Sequence, residues 1–248
     1  MNALYILWLR QIKVYSRQWT RIVGAVGQAL FFLLALGFGL GPIYTEARKE
    51  DYLQFLVPGI IAMTILFLSV FSGMDVIWDR QFGFLKESLV APVSRYQIML
   101  GRTLGAATVA VIQGLIILGI SYLLGFIVYN PALIPVATFF MFLTALLFTS
   151  MGTAVAAVLE DMQGFQLIIS LIVIPVFFLS GAIFPLEGIP ESLQIVAAVN
   201  PLSYGVDSLR GTLINQSFFG LQTDLAVLII LTAFFIYLGG VLFSRMQI

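Results

Sequence analysis

Histidine and cysteine are both absent from this 248-residue sequence, which excludes thiol and imidazole catalysis, disulfides and His- or Cys-ligated metal sites. Chemistry is left to 12 basic and 12 acidic side chains, and two stretches set some of them in a pattern. The first, residues 79–102, reads DRQFGFLKESLVAPVSRYQIMLGR. Trp78, Phe82, Leu85 and Leu89 recur there at helical spacing while Arg80, Lys86 and Glu87 are polar, which predicts a short amphipathic helix ending before Pro92. Such a helix either docks in a partner's groove or rests on its own bundle or on the bilayer, and periodicity leaves both open.

The second stretch, residues 185–224, is broken by Pro185 and Pro190, and its apolar run 192–199 is too short to cross a bilayer. A pair of half-helices re-entering the outer leaflet fits it, with a plain external loop as the alternative. Asp75 is the single ionisable residue inside an apolar block, about one turn from the block's end. It reads as a capping or interface residue rather than a proton relay. No G-x-x-x-x-G-K-[ST] sequence occurs, no segment is long enough to fold a nucleotide-binding domain, and no Ser has a general base beside it. The chain is therefore expected not to be an enzyme, and any energy for its work comes from elsewhere.

The elements that must position these residues follow from composition. Hydrophobic residues make up 60 % of the chain and charged ones 10 %, so the bilayer is its solvent. Six apolar blocks, 22–43, 55–78, 103–129, 132–159, 165–184 and 225–243, are each near or above the roughly 20 residues a spanning helix needs. Between blocks three and four only Asn130 and Pro131 remain, and between four and five only residues 160–164, so these neighbours are antiparallel hairpins. The expectation is one all-α integral membrane domain, 1–248, with six transmembrane helices. Residues 1–21 form an amphipathic interfacial helix ahead of them: Leu4, Trp8, Ile12, Tyr15 and Trp19 share one face, and Arg10, Lys13, Arg17 and Arg21 the other. Membrane lipid is its expected partner.

Basic residues set the orientation. With the amino terminus inside, Arg10, Lys13, Arg17, Arg21, Arg80, Lys86, Arg95, Arg102 and Arg245 are cytoplasmic and only Arg48, Lys49 and Arg210 external. Both termini are then cytoplasmic, in a multi-pass protein of a prokaryotic plasma or inner membrane. Net charge is zero with no dense basic run, so no nucleic-acid partner is expected. Glycines such as Gly37, Gly39, Gly41, Gly101 and Gly105 read as sites of close helix packing.

Three segments in order resemble the type-2 ABC transporter permease family: FLVPGIIAMTIL (55–66), LKESLVAPVSRYQIMLGR (85–102), and FLSGAIFPLEGIP (178–190) followed by NPLSYGVDSLRG (200–211). Pro201, Leu202, Tyr204 and Arg210 stand in the signature places. The resemblance covers nearly the whole chain and is closest in flavour to drug-resistance and polysaccharide-export branches. It implies an exporter permease that pairs as a homodimer above two copies of a separate ATPase subunit. ATP and Mg would be bound by that partner, leaving no cofactor in this chain. The segment from Arg80 to Pro92 would be the coupling helix, with Lys86 and Glu87 as contacts and Glu160 and Asp161 close by. Spans one, two and five would line the seam, whose apolar, Phe-rich character favours amphipathic or lipid-linked cargo, with drug or lipid ahead of polysaccharide. The alternative from another class is an ATP-independent secondary transporter or channel, which calls for buried carboxylates or internal repeats.

Overall fold

A computed structural model describes residues 3–48, 51–83 and 93–246, and among them every element is helical. In chain order these are α1 (Ala3–Ser16), α2 (Trp19–Arg48), α3 (Tyr52–Phe71), α4 (Met74–Gln81), α5 (Arg95–Leu123) and a 3-10 turn at Pro131–Leu133. There follow α6 (Ile134–Val158), α7 (Met162–Phe178), α8 (Glu191–Val199), α9 (Pro201–Leu213) and α10 (Leu221–Arg245). Short polar side chains start them where the apolar blocks begin. Asp51 accepts from the Leu53 amide at 2.9 Å, Ser94 from Gln97 at 3.2 Å, Asp161 from Gly164 and Asn200 from Leu202 at 3.0 Å.

Five stretches, Trp19–Ile43, Tyr52–Gln81, Arg95–Leu123, Pro131–Val158 and Leu221–Arg245, are long and apolar enough to cross a membrane. The fifth predicted block, 165–184, departs from expectation: its helix α7 has 17 residues, reaches about 25 Å at 1.5 Å per residue, and gives way to a turn at residues 179–183. The third block is displaced too. Its helix starts at Arg95 and ends at Leu123, where Leu124 and a left-handed Gly125 (φ 102°) open a connection much longer than two residues. The Gln54 side chain holds that connection from both ends, donating to the Gly125 carbonyl at 3.2 Å and accepting from the Ile127 amide at 3.2 Å.

α3 is the central pillar, packed against α2, α5, α6, α7 and α9 and buried from Phe55 to Leu66. Around it lie α5, α6 and α10, whose mutual contacts complete the core. α2 and α7 are held differently. Val23, Phe31, Leu34, Phe38 and Ile43 on α2, and Leu167, Leu171 and Ile174 on α7, are exposed in the single chain. A Cβ placed on Gly37, Gly39 or Gly41 would meet nothing within 4 Å, so the close packing expected of these three is absent within one chain. Gly101 and Gly105 do meet it, since Leu7 and Gln11 of α1 cover them.

α1 also differs from the helix expected over 1–21. It stops at Ser16, and Trp19 and Arg21 already belong to α2. Its Leu4–Tyr15 face is spent on protein, not lipid, for it runs alongside α5. Trp8 Nε1 donates to Thr108 Oγ1 at 3.1 Å, and the buried Tyr15 hydroxyl donates to Gln113 Oε1 at 2.6 Å. Burial pushes the Tyr15 phenol up, against the pull of Arg21, so it remains a donor in that bond.

Candidate functional site

Two clusters of the residues singled out above come together, at opposite ends of the bundle. At the end that carries α1, the helix predicted through Trp78, Phe82, Leu85 and Leu89 is cut short. α4 closes at Gln81, Phe82 is its cap, and Gly83 takes a left-handed φ of 80°. Trp78 and Phe82 do share a face, stacked with centroids 4.9 Å apart and both exposed. Leu85, Lys86, Glu87, Leu89 and Pro92 lie outside the described residues. Arg80 and Glu160, both expected to approach the ATPase, are joined to one another: Arg80 NH2 reaches Glu160 Oε1 at 3.1 Å, and Gln81 Nε2 donates to the Glu160 carbonyl at 3.1 Å. Asp161 is occupied as the cap of α7. Arg95 donates to the carbonyls of Ser244 and Met246 at 2.8 and 3.0 Å, which brings the chain's carboxyl end to this same platform.

At the other end the first and the last of the three matching segments converge on the turn after α7. Gly59 of the first segment passes so close to Ala182 that a Cβ there would run into the Ala182 carbonyl oxygen. Tyr52 donates its hydroxyl to the Ile183 carbonyl at 3.2 Å. Arg210, 7 % exposed, donates to the Gly181 and Ala182 carbonyls at 2.7 and 3.1 Å, and its guanidinium lies 3.7 Å from the centroid of the Phe55 ring. Asn200 caps α9 and also donates to the Val176 carbonyl at 2.7 Å, one of the last carbonyls of α7, which the end of that helix leaves without an i+4 amide. Pro201 opens α9 at the position where a missing amide hydrogen is harmless, Leu202 is wholly buried, and Tyr204 donates to the Ala198 carbonyl at 2.6 Å. Pro201, Leu202, Tyr204 and Arg210 thus fix how α8, α9 and the 179–183 turn fold together. A cavity of about 320 Å³ opens beside Arg210, with Phe55, Glu187, Asp207, Gln216 and Phe218 in its wall.

Asp207 escaped the reading of the sequence, where it was one acidic residue among several. Its carboxylate organises the bend after α9, accepting from Ser217 Oγ at 2.8 Å and from the Phe218 and Phe219 amides at 2.7 and 2.8 Å. Asp224, completely buried at the start of α10, lies in the field of that carboxylate, and neither of its oxygens has a hydrogen-bond partner. The two substitutions are expected to act oppositely. Asp207→Ala removes the acceptor of two partly buried amides and lowers the melting temperature by several degrees, hydrogen bonds to a charged group being worth about 1.5–3 kcal/mol each. Asp224→Asn puts a neutral amide, able to donate to the Asp207 carboxylate, in place of a buried carboxyl group and leaves the melting temperature unchanged or higher, as thermal unfolding of the detergent-purified protein would read. Among the described residues no group of three or more acidic side chains is disposed to hold a metal ion.

Residues 2–214 match the ABC-2 type transporter family. The chain belongs to that family. A putative transport permease ycf38 of Cyanophora paradoxa is 28 % identical, with 99 % of this chain and 89 % of the relative aligned. Nodulation protein J of Rhizobium leguminosarum bv. viciae is 29 % identical over 84 % of this chain and 81 % of its own length. A putative transport permease ycf38 of Pyropia yezoensis reaches 32 %, covering 80 % and 69 %. The ABC-2 permease is the membrane subunit of an ABC transporter whose ATPase is a separate subunit, and the helices found here are the membrane part such a subunit needs.

Proposed function

We propose that this ABC-2 permease is the membrane half of an ATP-driven exporter that moves an amphipathic or lipid-linked molecule outward, as a homodimer served by two ATPase subunits. The observation that carries the reading is the match of residues 2–214 to the family. Further support comes from the joined platform of Arg80, Gln81 and Glu160, where a partner pressing on one inner loop also presses on the other. Copies meet along α2 and α7 in this reading. Their apolar faces and open glycines lack partners in the single chain, and a second copy would cover them. The end with α1, the 79–102 segment and the carboxyl end faces the cytoplasm, by the weight of basic residues there, and residues 185–224 re-enter from outside. Cavities flanking Arg210 mix Glu187, Asp207 and Gln216 with Phe55 and Phe218, so a lipid-linked glycan suits the outer end as well as a drug-like amphiphile does.

Co-expression with the neighbouring ATPase tests this. The ATPase is expected to co-purify, and a Lys86→Ala, Glu87→Ala double variant to lose at least ten-fold of the bound ATPase or of the hydrolysis stimulated by the complex. If no ATPase associates with the unsubstituted chain, the ATP-driven reading fails and an ATP-independent transporter or channel takes its place.

A further inference from the structure

The α1 end of the bundle holds a charge cluster that the coupling platform does not use. Asp79, the residue before Arg80, receives two guanidinium groups. Arg102 of α5 reaches it at 2.7 Å, and Arg10 of α1 forks onto both carboxylate oxygens at 3.0 and 3.3 Å. Arg102 is 5 % exposed and donates a further bond to the Asp75 carbonyl at 3.0 Å. The Asp75 carboxylate in turn lies 3.6 Å from Arg21 at the start of α2. One small patch thereby joins α1, α2, α4 and α5. Three positive charges face two negative ones, so removing the Asp79 carboxylate leaves the buried Arg102 guanidinium and the partly exposed one of Arg10 facing each other.

The strengths of these links differ. Arg80–Glu160 is made with a carboxylate that is 81 % exposed, and such a pair gives way easily. Arg102 has no comparable freedom, because a buried guanidinium that parts from its carboxylate is left uncompensated away from water. Asp79 therefore cannot move without Arg102, and the fork from Arg10 follows it. α1 is fastened to α5 a second time through Trp8–Thr108 and Tyr15–Gln113, and it continues into α2 after a break of only Arg17 and Gln18.

We infer that Asp79 is a positioning residue for ATP-driven transport: it passes displacement of the 79–102 segment to α1 and, through Asp75 and Arg21, to the base of α2. The inference rests on the ATP-driven reading above. It assigns the transmission to the five-residue patch and not to the exposed Arg80–Glu160 pair.

Because the chain has no cysteine, a single reporter can be placed cleanly. Lys13→Cys on the exposed side of α1 is labelled with an environment-sensitive fluorophore, and the labelled permease is assembled with its ATPase in nanodiscs. ATP with vanadate is expected to shift the emission of this reporter. In Asp79→Asn the shift should fall at least five-fold while ATPase binding and hydrolysis persist, and Asp79→Glu, which keeps both ion pairs, should restore at least half of it. A scaffold residue would change the melting temperature and the yield of complex, and leave the shift of each assembled molecule intact. A shift of unsubstituted size in Asp79→Asn overturns the inference. Should Asp79→Asn fail to assemble, Arg10→Gln decides, since it leaves the Arg102–Asp79 pair in place; it should lose the shift equally, and an unchanged shift overturns the inference. An ATPase that never binds the unsubstituted chain refutes the ATP-driven reading itself, an outcome recognisable before any shift is measured.

Discussion

Gly152→Val is expected to yield no folded permease. α6 crosses the junction of α3 and α4 with backbone against backbone: a Cβ on Gly152 would sit inside the Val70 carbonyl, and one on Gly73 inside the Gly152 carbonyl. Overpacking a core usually costs about 1–3 kcal/mol because side chains can turn aside, but here the obstacle is main chain on both helices. To admit an isopropyl group α6 must lift from the most buried of the membrane-length helices, taking the packing of Met141, Phe148 and Ile65 with it. The check is fluorescence-detected size exclusion after detergent extraction, where the monodisperse peak should vanish. Gly152→Ala should retain a small part of it, and a normal peak for the valine variant would show that the crossing is looser than described.

Arg210→Ala should give the second largest loss. Two carbonyls, of Gly181 and Ala182, lose charge-assisted bonds of about 1.5–3 kcal/mol each, and the Phe55 ring loses a cation worth about 2 kcal/mol in a desolvated site. Taking the low end, about 5 kcal/mol together, at about 2–4 °C per kcal/mol for a chain of this size, the melting temperature should drop by roughly 10–20 °C. Arg210→Lys should recover less than half of that, because a point donor cannot span both carbonyls or lie flat on the ring. A melting temperature unchanged within error in the alanine variant would deny Arg210 its anchoring role.

Both predictions concern features that the sequence displayed without explaining. Gly59, Pro201, Tyr204 and Arg210 were legible as parts of a pattern, and so were the half-helices between Pro190 and Leu213, because proline punctuation and apolar run length carry that information locally. What stayed hidden was pairwise. Arg102 stood at the edge of an apolar block and read only as a marker of topology, and Asp79 only as the first residue of the inner segment; nothing local says that α5 returns to α4 with that register. The face of α1 was found correctly from its 100° periodicity, yet periodicity cannot say whether lipid or α5 meets it. The overlong third block failed for a related reason. Residues 124–129 are as apolar as the helix before them, and their departure from it depends on a glycine conformation and on Gln54, seventy residues away.

α9 carries a consequence for how the protein is made. From Leu202 to Leu213 every residue is buried, although Ser203, Asp207, Ser208, Arg210 and Thr212 are among them. A segment with Asp and Arg near its middle partitions poorly into hydrocarbon, each such residue disfavouring insertion by about 2.5–3.5 kcal/mol. It becomes tolerable only inside walls that supply hydrogen bonds, and those walls are α3, α6 and α10. The last of these leaves the ribosome after α9 does. The signature segment therefore waits for the next helix before it has a home, and this end of the permease is complete only when α10 closes the socket.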